Sequence, residues 1–517
     1  MRFARANHAA RRSDWSGSLV RAVDVSRFPG GLRLITMRVA IIGGGIAGLA
    51  AAYELELARC AGVPIEYELF EAGPRLGGVI SSNVVGGTVI EHGPDSFLTE
   101  KPAAAELCRE LGLEQSLVPS NDAERKTFIL VRNRLVALPD GLMFLVPTKL
   151  IPMALTPLFG WMTKLRMLLE FTRGSGGRSA DDTEDESVAA LVKRHYGQEA
   201  VDRLADPLLS GIYGGDSTRL SASAVLPRLV AMEAKHGSLT RGMLAEMRER
   251  RNAAELAGEA LPQPKPLFTT LRFGLQQMVD TLTARLDAGR LHLMAPVNSV
   301  ERTDHGWSVD CGGSSTPFDA VIIASPAWAA AEMLKSADNE LSAELGAIPY
   351  SSSITVNLVF TGADLDPLPE GFGFLVPAVE KRAMLACTFI HRKFPGRTAA
   401  GKSVLRVFLG GAHNAALLEE SDVAIGSLVR RELMEILHIS AVPELIEIQR
   451  WPRAMAQYAV GHAERQRRIK TRLATLPGLH LVGNAYDGIG ISDCIRLGRG
   501  AARDLARSAK AVSAPVA

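Results

Sequence analysis

The distribution of apolar and polar positions divides this chain into segments of different kinds. Val39 to Ile42 is an unbroken apolar run inside "MRVAIIGGGIAGLAAAYELELA" (residues 37–58). Such a run suits a strand buried on both faces of a parallel sheet, and the alanine- and leucine-rich text after the glycines has strong helix propensity. Ile65 to Phe70 repeats the strand pattern, and a helix is expected from about Pro102 to Leu111, with Gly112 as its stop. Leu135 to Phe171 is apolar but broken by Pro139, Pro147, Pro152 and Pro157, which predicts short helices. Helical text resumes at "SVAALVKRHYG" (187–197), continues in the charged stretch Glu246 to Glu259, and is expected again over Phe268 to Leu286. Strands follow at His292 to Met294, Trp307 to Cys311 and Ala320 to Ala324. Between Ser351 and Leu409, runs such as "SITVNLVF" and "SVLRVFLGG" are rich enough in β-branched and aromatic residues for a second sheet. The chain closes on a strand, His480 to Val482, and a helix from about Ser492.

Between these elements the punctuation is polar. "GSGGRSADDTEDES" (174–187) reads as an acidic, mobile loop and "LPQPKP" (261–266) as a linker. Residues 1–36 carry seven arginines, two acids and no period of either kind, and lack the apolar core of a secretory signal; they read as a disordered extension before Met37. The longest uncharged run within Leu135 to Phe171, Leu150 to Thr163, has 14 residues, short of the roughly 18 needed to span a bilayer. Flanked by Lys149, Lys164 and Arg166, these short helices suit either a membrane surface or the core of a helical subdomain, and both readings stay open.

Composition narrows the picture. A chain of 517 residues calls for two or three domains, and 47% apolar with 22% charged residues is the balance of a globular protein. The formal net charge of +2 argues against a broad nucleic-acid footprint. Cys60, Cys108, Cys311, Cys387 and Cys494 show no CxxC spacing, which suits a reducing, cytoplasmic setting and gives no disulfide framework. The histidines include no HxxxH or HExxH pair, so no metal site is expected.

The chemistry sits in the glycines. Gly43-x-Gly45-x-x-Gly48 lies between a predicted strand and a predicted helix. There Gly43 permits the tight turn, Gly45 lets a pyrophosphate approach the backbone, and Gly48 lets helix and strand pack closely. Glu71 ends the second strand 23 residues past Gly48, where an acceptor for a ribose hydroxyl belongs, and its charge would repel a 2′-phosphate. A second glycine turn, "GPRLGG" (73–78), exceeds what a nicotinamide domain needs and suggests the longer FAD. "LHLVGNAYDGIGISDCIRLGRGAARDL" (479–505) repeats strand, turn and helix at the far end, so a second helix N-terminus is expected to add donors from the other side. The fold class expected is therefore α/β: a discontinuous Rossmann-like FAD-binding domain (37–123, 268–330 and 450–512), a β-sheet-containing substrate domain (216–267 and 331–449) and a helical, membrane-associating subdomain (124–215).

Read in order, Gly43–Gly48, "EAGPRLGG", "GPDS" (93–96), "PVNSV" (296–300), "AMAQY" with "GH" (454–462) and "YDGIGISDCI" (486–495) resemble the oxygen-dependent protoporphyrinogen/coproporphyrinogen III oxidases of haem synthesis, within the flavin amine oxidase superfamily. The similarity spans residues 37–512, and "QYAVGH" with "YDGIGISDCI" is its specific part. It implies FAD held by Gly43, Gly44, Gly45, Ile46, Ala47, Gly48, Glu71, Ala72, Val79, Gly93, Pro94, Asp95, Ser96, Val297, Trp451, Ile489, Gly490 and Ile491, although Val297 and Trp451 also read as ordinary strand and core residues. It implies flavin-based oxidation of a porphyrinogen with oxygen as acceptor, no catalytic triad, and ferrochelatase or a second copy of the chain as protein partner. Substrate contacts would come from Arg125, Lys126, Gly211 (in "DPLLSGIYGGD"), Leu358, Leu375 and Phe394. In several relatives an arginine precedes the aromatic that aligns with Phe128; Thr127 stands there in this chain. The competing class is a flavin amine oxidase. It often attaches its flavin through a cysteine in the last glycine turn, whereas Cys494 is expected to pack inside a helix.

Overall fold

The computed structural model describes residues 36–513, apart from 144, 173–184, 257–264, 362–364, 366–367 and 413. The extension 1–36 (Thr36 aside), most of the acidic loop 174–187 and most of the linker 261–266 lie outside the described residues.

Both glycine-rich ends belong to one sheet. Five parallel strands lie in the order Leu291–His292, Ile65–Phe70, Met37–Ile42, Ala320–Ile323 and Leu479–Leu481. A sheet of this order can only be assembled from distant parts of the chain, because each parallel neighbour needs a crossover. The opening helix Ile46–Cys60 and the closing helix Ile491–Ser513 pack against each other. Their contact is close because Gly498 has no side chain: a Cβ there would run into the Ala47 carbonyl oxygen. Ile46, Ala50, Ile495, Ala502 and Leu505 share the core beneath, and Glu54 receives Arg499 at 2.6 Å and Arg503 at 2.8 Å at its edge.

The second sheet has seven strands, in the order Leu445–Ala456, Tyr350–Thr361, Lys402–Gly410, Met384–Phe389, Gly373–Leu375, Thr127–Val131 and Arg134–Ala137. The alternation of side chains gives it two unlike faces. Ile354, Val356, Leu358, Leu405, Val407 and Leu409 form an aliphatic core with Ile425, Val429 and Leu433 of the helix Asp422–Leu437. The residues between them, Thr355, Asn357 and Arg406, bond instead to the backbone of residues 91–93, so this face meets the first domain. A third core, with Met153, Met167, Leu191, Leu204, Met232 and Leu239, belongs to helices between 150 and 256.

Two segments differ from the sequence expectation. Phe268–Leu271 is a strand, paired with Phe97–Leu98 and Leu117–Pro119, and only Gln276–Thr283 is helical. Gly274 separates them at φ +97°, a left-handed conformation that a helix interior excludes. Residues 127–137, expected within the helical segment, form a hairpin at the edge of the seven-stranded sheet.

Candidate functional site

The carboxyl ends of the parallel strands converge on one edge, where open α/β sheets hold their ligands. Gly43 (φ +110°) turns the chain there, so close to the end of the neighbouring strand that an added Cβ would lie 2.9 Å from the Ala324 carbonyl carbon. Gly48 is tighter still, since its Cβ would strike the Gly43 carbonyl oxygen. Gly45 is the exception: nothing lies within 4 Å of where its Cβ would be. Space above Gly45 is what a close-approaching ligand requires. The opening helix has no side-chain cap and no acid in its first turn, so its N-terminal amides retain their attraction for an anion.

Glu71 closes this cradle. Its carboxylate accepts the Gly44 N–H and the Gly73 N–H, each at 2.7 Å, and four lone-pair positions leave room for ribose hydroxyls as well. "GPRLGG" folds back on the first loop: Gly77 donates to the Gly44 carbonyl at 2.8 Å, and Arg75 ties the turn by donating to the carbonyls of Leu76, Gly78 and Ile80. Ala72 and Val79 are exposed on this rim. Gly93 packs on the Val79 carbonyl with no space for a Cβ, which brings residues 93–96 against the same cradle. Val297 begins a strand next to Ala295, whose N–H donates to the Glu71 carbonyl at 2.9 Å. The residues present therefore fit a dinucleotide: an uncapped helix end, an open glycine and a carboxylate fixed beside them.

The second glycine end lies beside the first but works differently from the expectation. Asp493, in the first turn of the closing helix, accepts the Gly490 N–H at 3.2 Å and pairs with Lys101 at 2.6 Å. The Gly488 N–H donates to the Tyr458 hydroxyl at 3.0 Å. Part of its donor set is thus engaged within the protein. Ile489 is half-buried, Gly490 and the buried Ile491 start the helix, and Cys494 is buried in that helix as packing. His462 stacks on Tyr458, centroids 4.1 Å apart, and burial pulls its pKa down to about 4, so it is a neutral structural residue.

Residues 91–96 are clasped from the other sheet. The His92 carbonyl accepts the Trp451 indole N–H at 2.8 Å and the Thr355 hydroxyl at 2.5 Å. Asp95 receives Lys393 Nζ at 3.1 Å, with Arg406 3.6 Å away, and Ser96 bonds Asp95 at 2.6 Å. Burial alone would raise the Asp95 pKa, but the two cations hold it well below the usual carboxylate range. Lys393, Arg397 and Arg406 were not legible as site residues. The available signal was Arg406, a lone charge inside the apolar strand text "SVLRVFLGG".

On the substrate side the residues divide. Gly211, exposed on the helix Asp206–Tyr213, is a neighbour of Leu375: a Cβ there would sit 3.0 Å from Leu375 Cδ2. Arg125 and Lys126 are half-exposed, paired loosely with Asp122 (3.4 Å) and Glu370 (3.7 Å). Leu358 is not with them. Strand parity turns it, at 0% exposure, into the core under helix Asp422–Leu437. Phe394 is also fully buried, with Lys393 and Arg397 against its ring, which places it in the cation cluster and off any chamber wall.

Residues 46–506 match the flavin containing amine oxidoreductase family, and the chain belongs to it. FAD is accordingly its cofactor, and the chain is an FAD-dependent oxidase. It is 34% identical to the coproporphyrinogen III oxidase of Bacillus subtilis (strain 168) over 472 residues, 90% of this chain and 97% of that protein. It is 31% identical to the protoporphyrinogen oxidase of Macaca fascicularis over 485 residues, 90% and 97%. A solved structure from Exiguobacterium sp. 255-15 superposes with a TM-score of 0.79 at 30% identity, covering 92% of this chain and 99% of that one.

Proposed function

We propose that the protein oxidises a porphyrinogen, coproporphyrinogen III or protoporphyrinogen IX, to the porphyrin in haem biosynthesis. The observation that carries this reading is the 34% identity to a coproporphyrinogen III oxidase over nine-tenths of the chain; the cradle and the clasped 91–96 turn are compatible with it. Bound there, FAD would supply the two-electron acceptor for three successive oxidations, each taking a hydride from a saturated bridging carbon and releasing a proton, with one oxygen molecule reduced to one hydrogen peroxide each time. The chain's own residues hold and orient. Gly43 to Gly48 and Glu71 to Val79 grip the dinucleotide, and Gly93 to Ser96, Val297, Trp451 and Ile489 to Ile491 border it. Arg125 and Lys126 offer half-exposed cations to the macrocycle's carboxylates, while Gly211 and Leu375 form one wall. The domain division that serves this arrangement is 37–123, 268–330 and 450–512 for FAD, opposite the seven-stranded sheet, whose edge strand takes in residues 450–456 of that span. Purified enzyme under oxygen is expected to turn both porphyrinogens, or one of them, into fluorescent porphyrin. Peroxide from a panel of amines with no porphyrin from either macrocycle would contradict the reading.

Peripheral membrane contact belongs to the same proposal. No helix among the described residues is long and apolar enough to cross a membrane. The helix Trp161–Glu170 is nevertheless inverted: Thr163, Met167 and Glu170 face inward, while Trp161, Met162, Leu165, Leu168 and Leu169 face out. Leu150, Ile151 and Leu155 extend the exposed face, bordered by Lys149, Lys164 and Arg166. An apolar face with a basic border suits the surface of an anionic bilayer. Flotation with phosphatidylglycerol vesicles is expected to carry the wild type and to leave Leu155→Asp/Trp161→Asp behind; equal flotation of both would remove this assignment.

A further inference from the structure

Five ionisable side chains meet under the 91–96 turn, and anchoring the turn does not require so many. Glu91 pairs with Arg397, and Asp95 with Lys393 and Arg406; Arg406 also donates to the Gly93 carbonyl. Side-chain exposures are 3% for Glu91, 12% for Asp95, 10% for Lys393, 0% for Arg397 and 2% for Arg406. A third carboxylate at the turn, Glu447, is a fifth exposed and is taken up by His92 Nε2 at 2.6 Å. Among the five more deeply buried groups two carboxylates face three cations, so with those five ionised the set carries one positive charge more than negative. Nε and Nη1 of both Arg397 and Arg406 are buried and make no hydrogen bond to the protein, Arg406 Nη1 lying 3.6 Å from the Asp95 carboxylate. Aromatic faces lie against the cations, Phe268 and Phe394 against Lys393 and Phe408 against Arg406. A ring quadrupole is attractive but is not a counter-ion. A buried charge without a counter-charge is costly, and a negative group close by would offset that cost.

The cluster's position says which group. Gly93 lies on the Val79 carbonyl, and Gly77 and Gly78 lie on Gly44 and Gly45, so the turn borders the dinucleotide cradle. We propose that Lys393 and Arg406 are positioning residues for the flavin, fixing the 91–96 turn and leaving beside it a positive charge that favours the negative charge flavin takes up on reduction. The inference rests on the reading that this turn borders the flavin; it is independent of which substrate is oxidised. The test is the midpoint potential of bound FAD, measured by anaerobic reductive titration with dithionite and a reference dye, together with the FAD dissociation constant of the apoprotein. Lys393→Met is expected to shift the potential negative, Asp95→Asn to shift it positive, and Lys393→Arg to keep the wild-type value. A merely structural role would move the first two in the same direction or leave both unmoved, and either result overturns the proposal. If Lys393→Met fails to retain FAD, Asp95→Asn decides alone: no positive shift means no tuning charge. Because no porphyrinogen is present, failure of the substrate reading cannot produce these outcomes.

Discussion

Gly45 and Gly48 separate binding from folding at the scale of single residues. A side chain at Gly48 must displace the Gly43 carbonyl, whereas one at Gly45 meets no protein atom within 4 Å. Gly45→Val is therefore expected to yield a colourless protein whose apo-form melts as the wild-type apo-form does. Gly48→Ala is expected to lose about 1–3 kcal/mol of stability, as overpacked sites do. Urea unfolding of the three apoproteins checks both, and full FAD retention by Gly45→Val would contradict the assigned loop. These glycines and Glu71 were legible because their chemistry is local: a turn, a close approach, and an acid at the end of a strand. Leu358 was misplaced because a sequence shows that strand residues alternate but not which face is covered by a helix. Lys393 and Arg397 were invisible for a related reason, since their partners Asp95 and Glu91 stand some three hundred residues earlier.

Individual elements have their own electrostatics. The helix Trp161–Glu170 is fastened to the helical core by Glu170, which accepts from His195 Nδ1 at 3.0 Å, the Ser238 hydroxyl at 3.0 Å and the Leu239 N–H at 2.7 Å. His195 Nε2 faces Glu233 at 3.0 Å, and Arg194 holds Glu233 and Glu186. Burial alone would pull the His195 pKa down, but its bonds to Glu170 and Glu233 outweigh that and raise it above the ordinary value. Burial alone would raise Glu233, but its bonds to His195 and Arg194 lower it to about 2, and Glu170 is lowered as well by His195 against its own burial, so the carboxylates stay ionised through mild acid. A histidine raised in the folded state stabilises fully below its unfolded value, about 6.5, and loses that stabilisation as pH rises through its folded value. His195→Gln is accordingly expected to cost about 3–5 kcal/mol near pH 6, where it leaves the buried Glu170 without its cation while Glu233 keeps Arg194. The cost should shrink at alkaline pH. Urea unfolding of wild type and variant across pH checks this, and a pH-independent difference would mean that His195 is neutral. Strand and helix identities were largely readable from periodicity, because buried parallel strands are continuous apolar runs. Phe268–Leu271 was not, since Phe-Thr-Thr-Leu places its two apolar residues three apart, as the first turn of the helix that follows would.

Across the described residues the two glycine-rich segments, 43–48 and 483–490, come together at one edge of a sheet. Strands from residues 37, 65, 291, 320 and 479 close a single sheet, and the opening and closing helices pack through Gly498. The intervening chain returns as a second sheet whose polar face clasps residues 91–96. The pairing of the glycine ends was legible because each repeats strand, turn and helix; the internal capping of the second by Asp493 was not, since it depends on Lys101 from a distant segment. The central claim is that an FAD held at this edge takes hydride from a porphyrinogen. The most direct measurement mixes the FAD-loaded protein with coproporphyrinogen III, and separately with protoporphyrinogen IX, in the absence of oxygen. The expected result is bleaching of the flavin band in step with the appearance of porphyrin absorbance, and return of the band when oxygen is admitted. Flavin that stays oxidised with both macrocycles yet bleaches with an amine, or protein that takes up no FAD, would contradict the account.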